Sequence, residues 1–282
     1  MSASTTLLEI DWLGACRRAA AGLAEVLRER PTSPERVVET GERGGGGDRT
    51  LVIDSQAEDA VFVELQRLYD EEGARFTAVS EERGVVGFGD PGVVVIVDPI
   101  DGSMNAKRGL PSHALSIAVA DGPTMADVAF AYVYDMGPSE EWRAARGEGA
   151  FLNDAPIVAP PERHDRAGRL ELVAIESADP RWVAASSDEL QVVAHRLRAI
   201  GSIAISLCAV AATRVDGMVS LRRCRGVDAA AAQLIVREAD GVVAFGQVDD
   251  PLAAPLSLEP FAPVAAARSA ESLARLVRVP AL

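Results

Sequence analysis

The sequence predicts a layered α/β protein, and three observations lead there. Short runs rich in valine, isoleucine and aromatic residues alternate with longer stretches that carry apolar residues at helical spacing. Both kinds of segment occur in both halves of the chain. A length of 282 residues, 48% of them hydrophobic, buries a sizeable core without disulfides or a partner, as two compact lobes or one large layered domain.

Taken in chain order, Leu7, Ile10, Leu13, Ala20, Leu23, Val26 and Leu27 predict an amphipathic helix over 6–29, ended by Pro31 and Pro34. The stretch "TGERGGGGDRT" follows, covering a loop at 41–49 too rich in glycine to hold one conformation without a ligand. A plain flexible linker is the competing reading. "DSQAEDAVFVELQRLYDEEG" predicts a second helix with Asp54 at its cap. The runs "RFTAVS", "VVVIVDP", "HALSIAVA", "ADVAFAYVYD" and "EWRAARG" predict a mostly antiparallel sheet. Beyond the turn "GEGAFLND" come a strand "ELVAIES", a helix over about 185–198 and a helix "GSIAISLCAVAATR". A strand "DGMVSL", a helix "DAAAAQLIVREAD", a strand "GVVAF" and a helix over 270–277 complete the pattern, with "DDPLAAPLSLEPFAP" as surface loop. No repeats occur, and the expected division is an N-terminal α+β lobe over 1–136 and a C-terminal α/β lobe over 137–282.

A net charge of −14 and a pI near 4.7 argue against a nucleic-acid surface, though not against an anionic substrate bound through cations. Cys16, Cys208 and Cys224 are widely spaced and odd in number, which suits a reducing cytoplasm. The opening "MSASTTLLEIDW" lacks the form of a secretory signal, and "IAISLCAVAA" is too short to span a membrane. The expectation is a soluble cytoplasmic protein with neither nucleic acid nor membrane as a partner.

Acidic residues gather at the ends of the predicted elements. Glu81 and Glu82 follow "FTAVS", Asp98 and Asp101 follow "VVVIV", and Asp54 and Asp228 stand at helix starts. Singly they read as caps, turn formers or solvated surface. A buried strand that ends in two carboxylates nonetheless needs compensation. Together the acids make an oxygen-only ligand set suited to Mg²⁺, and no histidine pair offers a zinc site. In "DPIDGS", Pro99 stiffens the turn so that Asp98, the Ile100 carbonyl and Asp101 can converge, and Gly102 and Ser103 present backbone N–H groups to a phosphate.

"DPIDGS", with "SEE" before it and "ARGEGAFLND" and "GVDAAAAQLIVREADG" after it, resembles the inositol monophosphatase family of the wider fructose-1,6-bisphosphatase superfamily, over about residues 36–246. The resemblance implies an αβαβα sandwich that hydrolyses phosphate monoesters with two or three Mg²⁺ ions, as a homodimer. It implies Glu81, Asp98, the Ile100 carbonyl, Asp101 and Asp228 as metal ligands, and Gly102 and Ser103 as the phosphate-binding segment. Asp54 matches the acid that, with the Ser103 hydroxyl, positions and helps deprotonate the attacking water. Glu82 matches the neighbouring acid of the first loop, and the 41–49 loop the mobile segment near a weaker third metal.

Departures bear on the substrate. Val227 and Asp240 stand where the family usually has Trp and Gly, away from the chemistry, and Ser103 keeps the hydroxyl of the commoner Thr. Leu221 falls where inositol-specific members place a glutamate. "SMNAKRGLP" and "SEERGVVGFGD" look like the archaeal-type members that accept both inositol phosphates and fructose bisphosphate. The expected substrate is a small anionic sugar or polyol phosphate, inositol-1-phosphate or fructose-1,6-bisphosphate. A 3'-phosphoadenosine nucleotidase and a histidinol-phosphate phosphatase are alternatives with the same chemistry. A non-catalytic binding module would be marked by a lost ligand, and none of the matched ligands is lost. Arg222, Arg223 and Arg225 precede Asp228; strand alternation would send Arg223 and Arg225 to one face. Arg225 is then a candidate to hold a second phosphate by a bidentate contact, the alternative being a pairing with the chain's own carboxylates.

Overall fold

The computed structural model describes residues 10–31, 33–43, 49–247 and 249–280. Helix α1 (Trp12–Glu29) starts at Asp11, whose Oδ1 accepts from the Gly14 N–H at 2.9 Å. It buries Trp12, Ala15, Cys16, Ala19, Leu23 and Leu27 on one face. A single turn, α2 (Ser33–Arg36), leads to the antiparallel pair β1 (Glu39–Arg43) and β2 (Arg49–Leu51). Residues 44–48, the centre of the expected glycine loop, lie outside the described residues, as do 6–9 of the first expected helix. Helix α3 (Val52–Glu71) follows, with Leu51 at its N-cap, so Asp54 stands inside the first turn rather than at the cap.

The first sheet has seven strands in sequential order: β3 (Phe76–Ser80), β4 (Gly84–Asp101), β5 (Ala114–Ala120), β6 (Val128–Asp135), β7 (Glu140–Ala145), β8 (Ala150–Leu152) and β9 (Ala155–Pro156). The six-residue α4 (Ser103–Arg108) leaves the end of β4. Strand β4 pairs with β3 twice. Its start runs antiparallel (Val85 opposite Val79), and its second part runs parallel (Ile96 opposite Val79). The other pairings in this sheet are antiparallel, as the alternating runs predicted.

Strand β10 (Leu170–Glu176) opens the second sheet, followed by α5 (Pro180–Ala185), α6 (Ser187–Val193), β11 (Ala194–Arg198), α7 (Ile203–Ala211) and β12 (Gly217–Ser220). Helix α8 (Gly226–Glu238), β13 (Val242–Phe245), β14 (Val264–Ala267) and α9 (Ala270–Leu276) end the chain's regular structure. The strand order is β11-β10-β12-β14-β13, with β14 antiparallel to both neighbours. Three expectations are corrected here. The helix expected over 185–198 is two short helices and an edge strand, because β10 needs a hydrogen-bonding partner and Ala194–Arg198 supplies it in parallel register. Strand β14 was not foreseen: Val-Ala-Ala-Ala has weak strand propensity, but small residues fit a central position under packed helices. The change of sheet falls between Pro156 and Leu170 rather than near 137, because β6 and β7 pair across that point.

Side-chain alternation along the strands builds five layers. Val93, Val95 and Val97 point to α1 and α3, while Ile96 points to the other face, where α7 and α8 lie. Those two helices are covered on their far side by Ala174, Met218, Val243 and Ala266 of the second sheet. Val173, Ile175, Val219 and Ala265 turn outward to α6 and α9. A helix between two sheets has no solvent face, and α8 buries every residue from Val227 to Val236 except Asp228. Its four consecutive alanines, Ala229 to Ala232, let both sheets approach closely. Among the described residues no helix is long and apolar enough to cross a membrane.

Overpacking this middle layer should be costly. Ala231→Leu, at a fully buried position, is expected to cost about 1–3 kcal/mol, read as a lower Tm in thermal unfolding, whereas Val63→Leu on an exposed position should leave Tm close to that of the parent.

Candidate active site

Two features of backbone pairing bring the acidic residues together. Ser80 lies opposite Val97 in the parallel part of the β3–β4 ladder, so Glu81 leaves its strand beside Asp98. Asp98 lies opposite Ser116 and Asp101 opposite Ala114, so three steps along β4 match two along β5. Residues three apart on a regular strand face opposite ways. The extra residue of this bulge reverses the parity and lets Asp98 and Asp101 border the same cavity. Asp98 Oδ1 accepts from the Ile100 N–H at 3.1 Å, which closes the turn around Pro99.

Asp101 is held from the second half of the chain. Its Oδ2 accepts from Ser202 Oγ at 2.5 Å and from the Ala204 N–H at 2.6 Å, at the start of α7. Asp228 occupies the first turn of α8, and its Oδ2 accepts from the Arg225 N–H at 2.8 Å. The Arg225 guanidinium lies between two acids, with Nη2 at 2.8 Å from Asp228 Oδ1 and 2.8 Å from Glu81 Oε1. Glu176, at the end of β10, accepts from the N–H groups of Ile200 (3.2 Å) and Gly201 (3.0 Å) and from Ser206 Oγ (2.6 Å).

Burial, followed by Glu81, Asp101 and Asp228, holds the Asp98 carboxyl well above the usual carboxylate range. Burial pushes Asp101 up to about 7 despite its two donors, and Glu176 up to about 7 against three. Glu81 is raised by burial, with Arg225 opposing and Asp228 adding to the shift. Asp54 is raised by burial and drawn back by the Lys107 ammonium, 3.6 Å away. For Arg225, burial opposes the charge while Asp228 and Glu81 favour it, and the balance holds the guanidinium charged.

Two adjoining cavities share Glu81, Ile100 and Ser103. The smaller, about 240 Å³, is lined by Asp54, Glu82, Pro99 and Lys107 in addition. The larger, about 440 Å³, is bordered by Asp98, Asp101, Gly102, Glu176, Arg225 and Asp228 among others. Gly102 caps α4 with φ of 86°, and a Cβ there would stand 2.8 Å from the Ser112 carbonyl oxygen and 3.0 Å from that of Gly201. Only glycine fits. Asn105 Nδ2 donates at 2.8 Å to both Ser112 O and Ile200 O, which ties α4 to the loop before α7.

Every acid that the sequence singled out therefore borders one cleft. Among the described residues no group of three acidic, histidine or cysteine side chains is already gathered for a metal ion, and the Arg225 guanidinium stands between Glu81 and Asp228. The donor chemistry still fits a hard divalent cation: oxygen ligands only, and several carboxyls whose proton affinity is raised, first by burial. Arg225 borders the larger cavity but is committed to Glu81 and Asp228. The strand expected through Arg223 and Arg225 ends at Ser220, leaving Arg223 exposed and Arg222 stacked over Trp182, 5.3 Å from the ring centroid. Leu221, counted to where inositol-specific members place a glutamate, is a core residue at 1% exposure, packed with Ile175, Ala244 and Leu273. Lys107, Asn105, Glu176 and Ser202 were missed. Lys107 alone carried a signal, since its spacing of four from Ser103 puts both on one helical face.

Five alternating layers, with an acidic cleft where the first sheet meets the middle helices, define a layered α/β protein. The chain matches the inositol monophosphatase family over residues 11–278. A fructose-1,6-bisphosphatase/inositol-1-monophosphatase from Methanothermobacter thermautotrophicus is 35% identical over 240 residues, 79% of this chain and 82% of that protein. An inositol-1-monophosphatase from Mesorhizobium japonicum is 34% identical over 209 residues, 71% and 73% of the two chains. A protein named Nus factor SuhB from Pasteurella multocida is 35% identical over 201 residues, 70% and 71%. In fold, the chain is similar to the inositol monophosphatase of Anabaena, with a TM-score of 0.72 over 96% of this chain and 97% of that one at 22% identity. The chain belongs to the inositol monophosphatase family.

The raised acids set the pH response of the metal-free protein. A buried acid with a raised pKa binds more protons folded than unfolded, so its contribution to stability falls as pH rises through the folded value. Asp101 and Glu176, both raised to about 7 from the ordinary carboxylate range, should make Tm in chelator fall between pH 5 and pH 7.5. Glu176→Gln should flatten that fall, checked by thermal unfolding across the range.

Proposed function

We propose that the chain is a Mg²⁺-dependent phosphomonoesterase of small sugar or polyol phosphates, taking inositol-1-phosphate and fructose-1,6-bisphosphate. The observation that carries the reading is the gathering of Glu81, Asp98, the Ile100 carbonyl, Asp101 and Asp228 on one cleft beside Asp54 and Ser103. In this reading those five residues hold two or three ions. Gly102 and Ser103 bind the phosphate, and Glu82 adds to the acidic wall of the smaller cavity. The names of the archaeal relatives support the pairing of substrates. A homodimer belongs to the same reading through the family alone; a cytoplasmic location and the lack of a nucleic-acid partner are supported by three free, buried cysteines and the acidic charge.

Glu81, Asp98, the Ile100 carbonyl, Asp101 and Asp228 would hold divalent cations, whose Lewis acidity would stabilise the charge that builds during phosphate hydrolysis. The chain's own residues do the rest. Asp54 and the Ser103 hydroxyl face one small cavity, where together they orient a water and accept its proton. Burial raises the proton affinity of Asp54, which suits it to that task, and Lys107 keeps its ionised form within reach. Leu221 offers no acceptor to ring hydroxyls from inside the core, so no anchor at that position selects inositol. Arg225 would meet a second phosphate only once released from Glu81 and Asp228.

Turnover measured on inositol-1-phosphate, fructose-1,6-bisphosphate, 3'-phosphoadenosine phosphate and histidinol phosphate tests the reading. Activity is expected on the first two at kcat/KM values within about tenfold, a gap of about 1.4 kcal/mol, to vanish in chelator, and to fall by orders of magnitude in Asp98→Asn. Full activity after exhaustive chelation, or preference for either of the last two substrates, would reject it. Ser103→Ala should lower kcat far more than it raises KM, by about 10²–10⁴ if proton transfer is lost; a variant with near-parental kcat would remove Ser103 from the role.

A further inference from the structure

The Arg225 guanidinium stands between Glu81 and Asp228, two acids that the proposed function assigns to a shared cation. Its Nη2 lies 2.8 Å from an oxygen of each acid, and its Nε reaches Asp228 Oδ1 at 3.1 Å. The remaining Asp228 oxygen accepts from the Arg225 backbone N–H at 2.8 Å. One residue thus engages both oxygens of Asp228. Magnesium draws its ligand oxygens to about 2.0–2.1 Å in near-octahedral order. A guanidinium in hydrogen-bond contact with the same two oxygens blocks that approach and adds like charge. Arginine cannot yield by losing its proton. It has to move.

We propose that the Arg225 guanidinium is an internal counter-ion that competes with the divalent cation for Glu81 and Asp228, and that cation binding releases it into the open part of the cavity that all three border. The proposal rests on the reading of Glu81 and Asp228 as metal ligands. Asp98 is 2% exposed and lies among the same acids, and removing every counter-charge from such a cluster is strongly destabilising. Arg225 therefore keeps the metal-free fold intact and weakens metal affinity in doing so. The backbone N–H bond to Asp228 does not depend on the side chain, so Asp228 stays oriented after the guanidinium leaves. The larger cavity, about 440 Å³ and bordered by Arg225, receives the freed group. There its planar fork suits an anionic oxygen pair of the substrate.

Calorimetric titration of the whole protein with Mg²⁺, alongside thermal unfolding in chelator and in Mg²⁺, tests the competition. Arg225→Gln is expected to bind Mg²⁺ about tenfold more tightly than the parent, about 1.4 kcal/mol. It should also melt lower in chelator and gain more in Tm on adding Mg²⁺. Arg225→Lys keeps the charge but loses the fork, and should fall between the two. Arg223→Gln makes the same charge change at an exposed site and should leave Mg²⁺ affinity at the parental value. Should Arg225→Gln not fold in chelator, Arg225→Lys carries the same comparison. An Arg225 variant that binds Mg²⁺ no more tightly than the parent, or an equal gain in Arg223→Gln, overturns the proposal. A parent protein that binds no Mg²⁺ at all overturns instead the reading of the cluster as a metal site, and the competition with it.

Discussion

Repulsion among buried carboxylates is the constraint around which this protein is arranged. Glu81, Asp98, Asp101 and Asp228 come from two strand ends and a helix start and border one cleft. In water each would ionise well below neutrality. Here burial raises Glu81, Asp98 and Asp101. Left alone, such a cluster would favour unfolding, so every nearby element contributes something that offsets it. The start of α7 gives Asp101 two donors, and Arg225 bridges Glu81 and Asp228. Those contacts also tie the second half of the chain to the end of β4.

The layered architecture follows from the same need. A strand that delivers carboxylates into a cleft must be fixed in register, because a slip by one residue would turn them into the core. Strand β4 is fixed by pairing on both sides, and by Val93, Val95 and Val97 packing one way while Ile96 packs the other. The bulge at Pro99 and Ile100 then breaks alternation at one point only. Beyond it, Gly102 turns with a positive φ and begins α4. Rigid strand and irregular end are both required: the first supplies position, the second supplies convergence.

What was legible in the sequence is what is local. "DPIDGS" carries its strand, its turn and its two acids within a few residues, so chemistry and geometry could be read together. Strands β3 to β7 were legible because their alternation reports a sheet with two different faces. Glu176 was not, since nothing near it in sequence reveals that its partners are Ile200, Gly201 and Ser206. The direction of Leu221 was not legible either, since counting back from Asp228 fixes a position along the chain and not a direction in space. The segment 185–198 looked helical because its propensity is helical. Only the unpaired edge of β10 makes a strand of its last five residues.

Charge also dictates an order of events in the cleft. Seven acidic side chains and two basic ones line the two cavities, within a chain of net charge −14. Even with Asp98, Asp101 and Glu176 holding protons part of the time, a phosphate monoester entering alone would meet a repulsive field. Neither basic group is free to reverse it, because Lys107 faces Asp54 and Arg225 is shared by Glu81 and Asp228. Positive charge has to arrive from outside, before the substrate or together with it. Under the proposed function, the acidic wall is not an obstacle to binding an anion but the means of gathering the cations that would make binding possible. In that reading the glycine turn at 102 would receive the phosphate only after they are in place.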